Sequence, residues 1–184
     1  MPVRRAIGII GLALVGVAAA GAASRVSEPR ETPRGVVENC STRSEAKFPR
    51  AFTAPRNLVV GPLVLVGAGG APEWSKTGNK FPLLVAAGHR VTLELSRRTR
   101  KGAGLAYGAL PQGEVGLRDA HRVVTFIACR RGQRSGSSAD RRPVTFWSGG
   151  VLARSPRCVP LRVWIDAAPS ARRAVIHLGV RRCR

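Results

Sequence analysis

From residue 57 onward the apolar positions fall into short runs, separated by clusters of Gly, Pro and Ser. Residues 90–95 read Arg-Val-Thr-Leu-Glu-Leu, so Val91, Leu93 and Leu95 point one way and Thr92 and Glu94 the other. That period of two marks a strand with one buried face. Residues 158–166 repeat it, with Val159, Leu161, Val163 and Ile165 inward and Arg162 and Trp164 outward. Residues 122–129 form a further strong run, and shorter ones occupy 57–60, 63–66, 83–85, 105–110, 143–147 and 173–180. No helical period competes with them over this region. Many short strands with frequent turn residues predict an all-β domain over residues 57–184, an immunoglobulin-like or jelly-roll-like antiparallel sandwich. Strand order is not set by the pattern.

The first 56 residues read differently. Met1 to Arg5 is short and basic, residues 6–23 carry no charge, and Ala20-Gly21-Ala22 is a small-residue cleavage signature. These are the three parts of a secretory signal peptide, here residues 1–22. The run is long enough that an uncleaved N-terminal hydrophobic helix, anchoring the chain in a membrane through residues 6–23, is the alternative. Under both readings the rest of the chain is exported. Residues 23–56 hold Pro29, Pro33, Pro49 and Pro55 among scattered charges, the composition of an extended arm.

Charge changes the picture next. The chain has 184 residues, with 31 basic and 10 acidic side chains and a formal charge of +21. Arginines supply 27 of the 31, and Ala, Gly, Val and Pro are also abundant, so a GC-rich genome accounts for part of the excess. Nucleic acid is not the expected partner. Aromatic residues are only 5% of the chain and make no stacking pattern, and no groove-reading motif is present. The basic stretch of most interest is 130–142, where Arg130, Arg131, Arg134, Arg141 and Arg142 bracket Gly and Ser residues. Between two strands this is a candidate anion-binding loop, because guanidinium forks match phosphate and carboxylate.

Four cysteines, Cys40, Cys129, Cys158 and Cys183, all fall in the exported part and have no close C-x-x-C spacing. They read as two structural disulfides rather than a redox or metal site. Joining the end of one strong strand to the start of the next gives Cys129–Cys158, which leaves Cys40–Cys183 to clamp the arm. No cofactor or metal is called for.

Catalytic candidates are thin. Asp119-x-His121 imitates an orienting carboxylate and a base, but a strand-entry turn explains it equally well. Ser135 lies one place late for a nucleophile elbow, and the carboxylates are too scattered for a glycosidase pair. Gly67-Ala68-Gly69-Gly70 is followed by no helix, so it reads as a loop and not a phosphate cradle. Of Trp74, Trp147 and Trp164, the outward position of Trp164 makes it the candidate for a ligand or glycan platform.

The segments Gly104-Leu105-Ala106-Tyr107-Gly108, Asp119-Ala120-His121-Arg122-Val123-Val124-Thr125-Phe126, Pro143-Val144-Thr145-Phe146-Trp147-Ser148-Gly149-Gly150 and Cys158-Val159-Pro160-Leu161 resemble a family of uncharacterised secreted proteins from high-GC actinobacteria. The resemblance covers about residues 57–183 and implies export and a genomic origin for many arginines. It carries over no functional residues. The expectation is therefore an exported, non-catalytic envelope protein whose basic surface meets anionic wall polymer or the headgroups of a membrane surface. An extracytoplasmic ligand- or glycan-binding module is the alternative, and an unrecognised hydrolase comes third.

Overall fold

The computed structural model describes residues 35–99, 101–110 and 115–183. The expected leader or anchor and its hydrophobic helix lie outside the described residues, as does the first part of the expected arm. Within them the chain is all-β, with fourteen strands and one turn of 3-10 helix.

Three hydrogen-bonded sheets form. The first runs, in spatial order, β1 (Val36–Glu38), β9 (Val123–Ile127), β7 (Arg90–Leu95), β13 (Arg157–Ile165) and β14 (Arg172–Leu178). The second runs β2 (Lys47–Phe48), β10 (Ser137–Ala139), β11 (Arg142–Trp147), β6 (Leu83–Ala86), β4 (Leu63–Leu65) and β3 (Leu58–Val60). The third holds β5 (Asn79–Lys80), β12 (Gly149–Ala153) and β8 (Ala103–Tyr107). The second and third share one register: Leu83 pairs with Trp147 and Lys80 with Gly150, and the Phe81 amide donates to the Gly149 carbonyl at 2.9 Å. Pro82 between them has no N–H to give, and the ladder parts there.

One main apolar core joins the sheets, as in a β-sandwich. Val91, Leu93, Leu95, Phe126, Leu161, Val163 and Ile176 enter it from the first sheet. Leu63, Leu65, Leu83, Val85, Leu105, Tyr107 and Trp147 enter from the other two. The Phe126 ring lies 5.3 Å from Tyr107 and 5.2 Å from Trp147, contacts worth about 0.5–1.5 kcal/mol each beyond burial. The inward residues of β7 and β13 are those the alternation assigns. Gly108 is held by sterics: its φ is +88°, and a Cβ there would collide with the buried carboxylate of Glu38.

The runs Leu63-Val64-Leu65 and Leu83-Leu84-Val85 do not alternate because both faces of the second sheet are covered. Val64, Leu84, Val144 and Phe146 turn away from the main core into a smaller cluster roofed by Ala46, Phe48 and Phe52. Phe48 meets Phe146 edge-on at 4.9 Å. The described part of the expected arm is thus built into the fold. Its strands β1 and β2 pair in parallel with β9 and β10, where only antiparallel pairs were expected. A parallel pair needs a long return path, and the many residues between β1 and β9 supply one.

The expected disulfide pairing is corrected. The bonds are Cys40–Cys129 and Cys158–Cys183, not Cys129–Cys158 and Cys40–Cys183. The reason is strand order. β7 lies between β9 and β13, antiparallel to both, so β9 ends where β7 starts while β13 starts where β7 ends. Cys129 and Cys158 therefore stand at opposite ends of the first sheet. Cys129 lies instead beside the end of β1, and Cys158 beside the end of β14, opposite His177. Two structural disulfides indicate an oxidising, extracytoplasmic environment.

Candidate anion-binding site

The stretch 130–142 is not one loop. Residues 130–136 lead into β10, and a two-residue turn, Asp140-Arg141, with φ of 50° and 62°, leads into β11. Two consecutive left-handed residues are what a tight hairpin of this hand requires. Arg130, Arg131, Arg134, Arg141 and Arg142 are all exposed, but β10 separates the first three from the last two. The Arg142 guanidinium lies over the Phe52 ring at 5.6 Å, and Arg131 packs its stem beside Gly88.

A denser basic site lies on the outer face of the first sheet. Arg162 on β13 and Arg173 on β14 are directly opposed across the ladder. Like charges in that position repel. The turn after β7 brings up Arg97 and Arg98. Its shape is held by the Ser96 and Thr99 hydroxyls at 2.9 Å, and the Ser96 amide ties it to the Pro160 carbonyl of β13 at 3.2 Å. These four arginines line a cavity of about 540 Å³. A second cavity of about 370 Å³, lined by Trp164 and the 169–171 loop, shares Arg162 and Arg173 with it.

One described carboxylate serves this groove. Glu94 on β7, almost wholly buried, takes the Arg162 guanidinium at 3.2 Å and the Trp164 indole N–H at 3.3 Å. It neutralises the most enclosed arginine. Arg97, Arg98 and Arg173 have no hydrogen-bond or ion-pair partner among the described residues. No known protein family, curated protein or solved structure matches this chain.

Trp164, the expected platform, lines the smaller cavity but offers little open ring surface. It does face outward from the main core, as the alternation requires, but it is 2% exposed and lies under the Arg162 guanidinium at 5.0 Å. Trp147 is a core residue whose N–H reaches the arm, at the Asn39 carbonyl and the Thr42 hydroxyl, both 3.2 Å. Trp74 donates to the Ala153 carbonyl at 3.0 Å. In the glycine loop the Gly67 and Gly69 amides already donate to Asn57 Oδ1 and the Arg56 carbonyl, so they do not cradle an anion.

Asp119 and His121 do not form a pair. Asp119 accepts from the Gly116 amide at 2.9 Å, and His121 Nε2 is buried without a partner among the described residues. The histidine that meets a carboxylate is His89, whose Nδ1 lies 2.9 Å from Asp166 Oδ2. The sequence held no signal for it, since 77 residues separate the two. No Ser, Thr or Cys side chain hydrogen-bonds His89 among the described residues. A partial signal did exist for the arginine groove: Arg162 was outward by alternation, and Arg173 followed once its strand was paired.

Proposed function

We propose that this protein is an exported, non-catalytic envelope protein, built on an immunoglobulin-like or jelly-roll-like sandwich, that contacts anionic wall polymer or lipid headgroups through its basic surface. The observation that carries the reading is the groove in which Arg97, Arg98, Arg162 and Arg173 converge with Glu94 as their one described counter-ion. Like-charged side chains crowded on one face repel, and an anion lying between them relieves that repulsion. The two disulfides fit the exported compartment. The separated arginines of 130–142 extend the basic surface without making a second groove. The burial of Trp164 favours this reading over a glycan platform, and among the described residues no Ser, Thr or Cys side chain hydrogen-bonds His89 as a nucleophile would.

The test is retention on isolated cell envelopes over a salt series. Surface charge interactions are screened over about 8–10 Å at physiological ionic strength, so retention is expected at low salt and lost as salt rises. Retention that ignores salt, or none at low salt, overturns the reading.

A further inference from the structure

We infer that the groove along β13 and β14 takes a linear phosphate-bearing polymer, laid along the strands, rather than the headgroups of a bilayer. The inference rests on the anion-contact reading above and names the ligand of its site.

Three features lead to it. First, the two cavities lie in line and share Arg162 and Arg173, with Arg97 and Arg98 at one end and the 169–171 loop at the other. A ligand that fills both meets Arg97 and Arg98 on one side of that central pair and the Pro169-Ser170-Ala171 loop on the other, so its anionic groups fall on the pair and on the Arg97–Arg98 side. From Pro160 to Trp164 the strand covers about 13 Å at 3.3 Å per residue, which several linked phosphates span and one headgroup does not. Second, Arg162 is set back, its side chain 30% exposed, with the exposed Arg97, Arg98 and Arg173 around it, and none of the exposed large apolar side chains among the described residues, Val37, Val59 and Ile127, lines either cavity. A flat bilayer meets projecting charges with an apolar fringe, whereas a single chain enters a groove. Third, the guanidiniums approach from β13, β14 and the turn after β7. A tetrahedral phosphoryl group directs its oxygens out of one plane, toward guanidiniums on different elements, while a carboxylate offers two oxygens in a single plane.

The experiment is equilibrium binding of the folded protein to orthophosphate, tripolyphosphate, long-chain polyphosphate, poly-L-glutamate and vesicles of phosphatidylglycerol in phosphatidylcholine. Two triple variants are compared: R97A/R98A/R173A in the groove and R130A/R131A/R134A outside it. They remove the same charge, and both leave the Arg162–Glu94 pair intact. Far-UV circular dichroism and thermal melts establish that each folds. Affinity should climb from orthophosphate to long-chain polyphosphate and exceed that for poly-L-glutamate and vesicles. The groove variant should lose about tenfold or more of the polyphosphate affinity, the outer variant about threefold or less. The groove variant should also flatten the slope of log K against log salt by about two, the value for three lost phosphate contacts on a single strand. Equal losses in the two variants, or vesicles or poly-L-glutamate binding as tightly as polyphosphate, overturn the inference. Envelope retention without polyphosphate binding sinks this inference and leaves the broader reading standing. Loss of both sinks both.

Discussion

His89 Nδ1 and Asp166 Oδ2 stand 2.9 Å apart, and the other Asp166 oxygen accepts the Arg90 amide at the same distance. Asp166 thereby pins the start of β7 to the end of β13 from a left-handed backbone position, φ 51°. Burial alone would raise its carboxyl. The Arg90 amide, with the hydrogen bond and charge of His89, outweighs that and lowers it below the ordinary 3.8.

A carboxyl lowered in the folded state stabilises the fold above its unfolded value. That contribution is lost as pH falls below about 4 toward the depressed folded value. Asp166→Asn keeps an acceptor for the Arg90 amide and suits the left-handed backbone, so it should cost under about 1 kcal/mol at pH 7. Asp166→Ala should cost about 2 kcal/mol. Denaturant melts at pH 7 and pH 3 check this, and the wild type's advantage over Asp166→Asn should shrink at the lower pH. The side chain is 47% exposed, so the effect should also weaken in salt.

The disulfides should differ in weight. Cys40–Cys129 closes 89 residues and Cys158–Cys183 closes 25. On the loop-entropy model these contribute about 4.5 and 3.5 kcal/mol. The C40S/C129S pair should therefore melt below the C158S/C183S pair. Non-reducing peptide mapping tests the connectivity directly, and a Cys129–Cys158 peptide would refute it.

Tyr107 is the single tyrosine of the chain, fully buried, with its hydroxyl donating to the Phe81 carbonyl at 2.6 Å. Burial pushes its phenol far above the ordinary range. Tyrosinate absorbance should appear during an alkaline titration only when the protein unfolds. Tyr107→Phe should cost about 1–3 kcal/mol, because it leaves the Phe81 carbonyl without that donor. Gradual ionisation with native circular dichroism intact would show that the ring is open to solvent.

Phe48→Ala should cost about 1–3 kcal/mol, below the scale for a fully buried Phe because the ring is only partly buried. An arm that merely trailed from the domain would tolerate it. A denaturation midpoint unchanged by Phe48→Ala would remove the arm from the cooperative unit.

Legibility in the sequence followed where each strand keeps its aliphatic residues. β7 and β13 keep them on one face, and their alternation separated core-facing from outer positions from Val91 to Leu95 and from Val159 to Ile165, although Thr92, Glu94 and Trp164 on the outer face are buried as well. β4 and β6 bury both, so their triplets show no period, and the cover over Val64 and Leu84 came from an arm that carried no strand signal. β10 was hidden because Ser137, Ser138 and Ala139 look like loop, and they are strand only through neighbours on both sides. The disulfide pairing and the arginine groove both required knowing that β7 separates β9 from β13 and that β14 lies beside β13. Trp164 was oriented correctly, yet its burial depends on Arg162 and Glu94, a relation between strands that one strand's pattern does not contain.

The arm also sets an order of events. Cys40 and Cys129 stand 89 residues apart, and Val36 and Val124 are similarly distant, so each pair meets only by closing a long loop, the kind of contact that forms slowly. Where the arm docks after the sheet has formed, the bond that fastens it makes that step hard to reverse. An oxidant that arrives after β9 has found β7 seals a finished sheet. One that arrives earlier captures whichever thiols happen to be near.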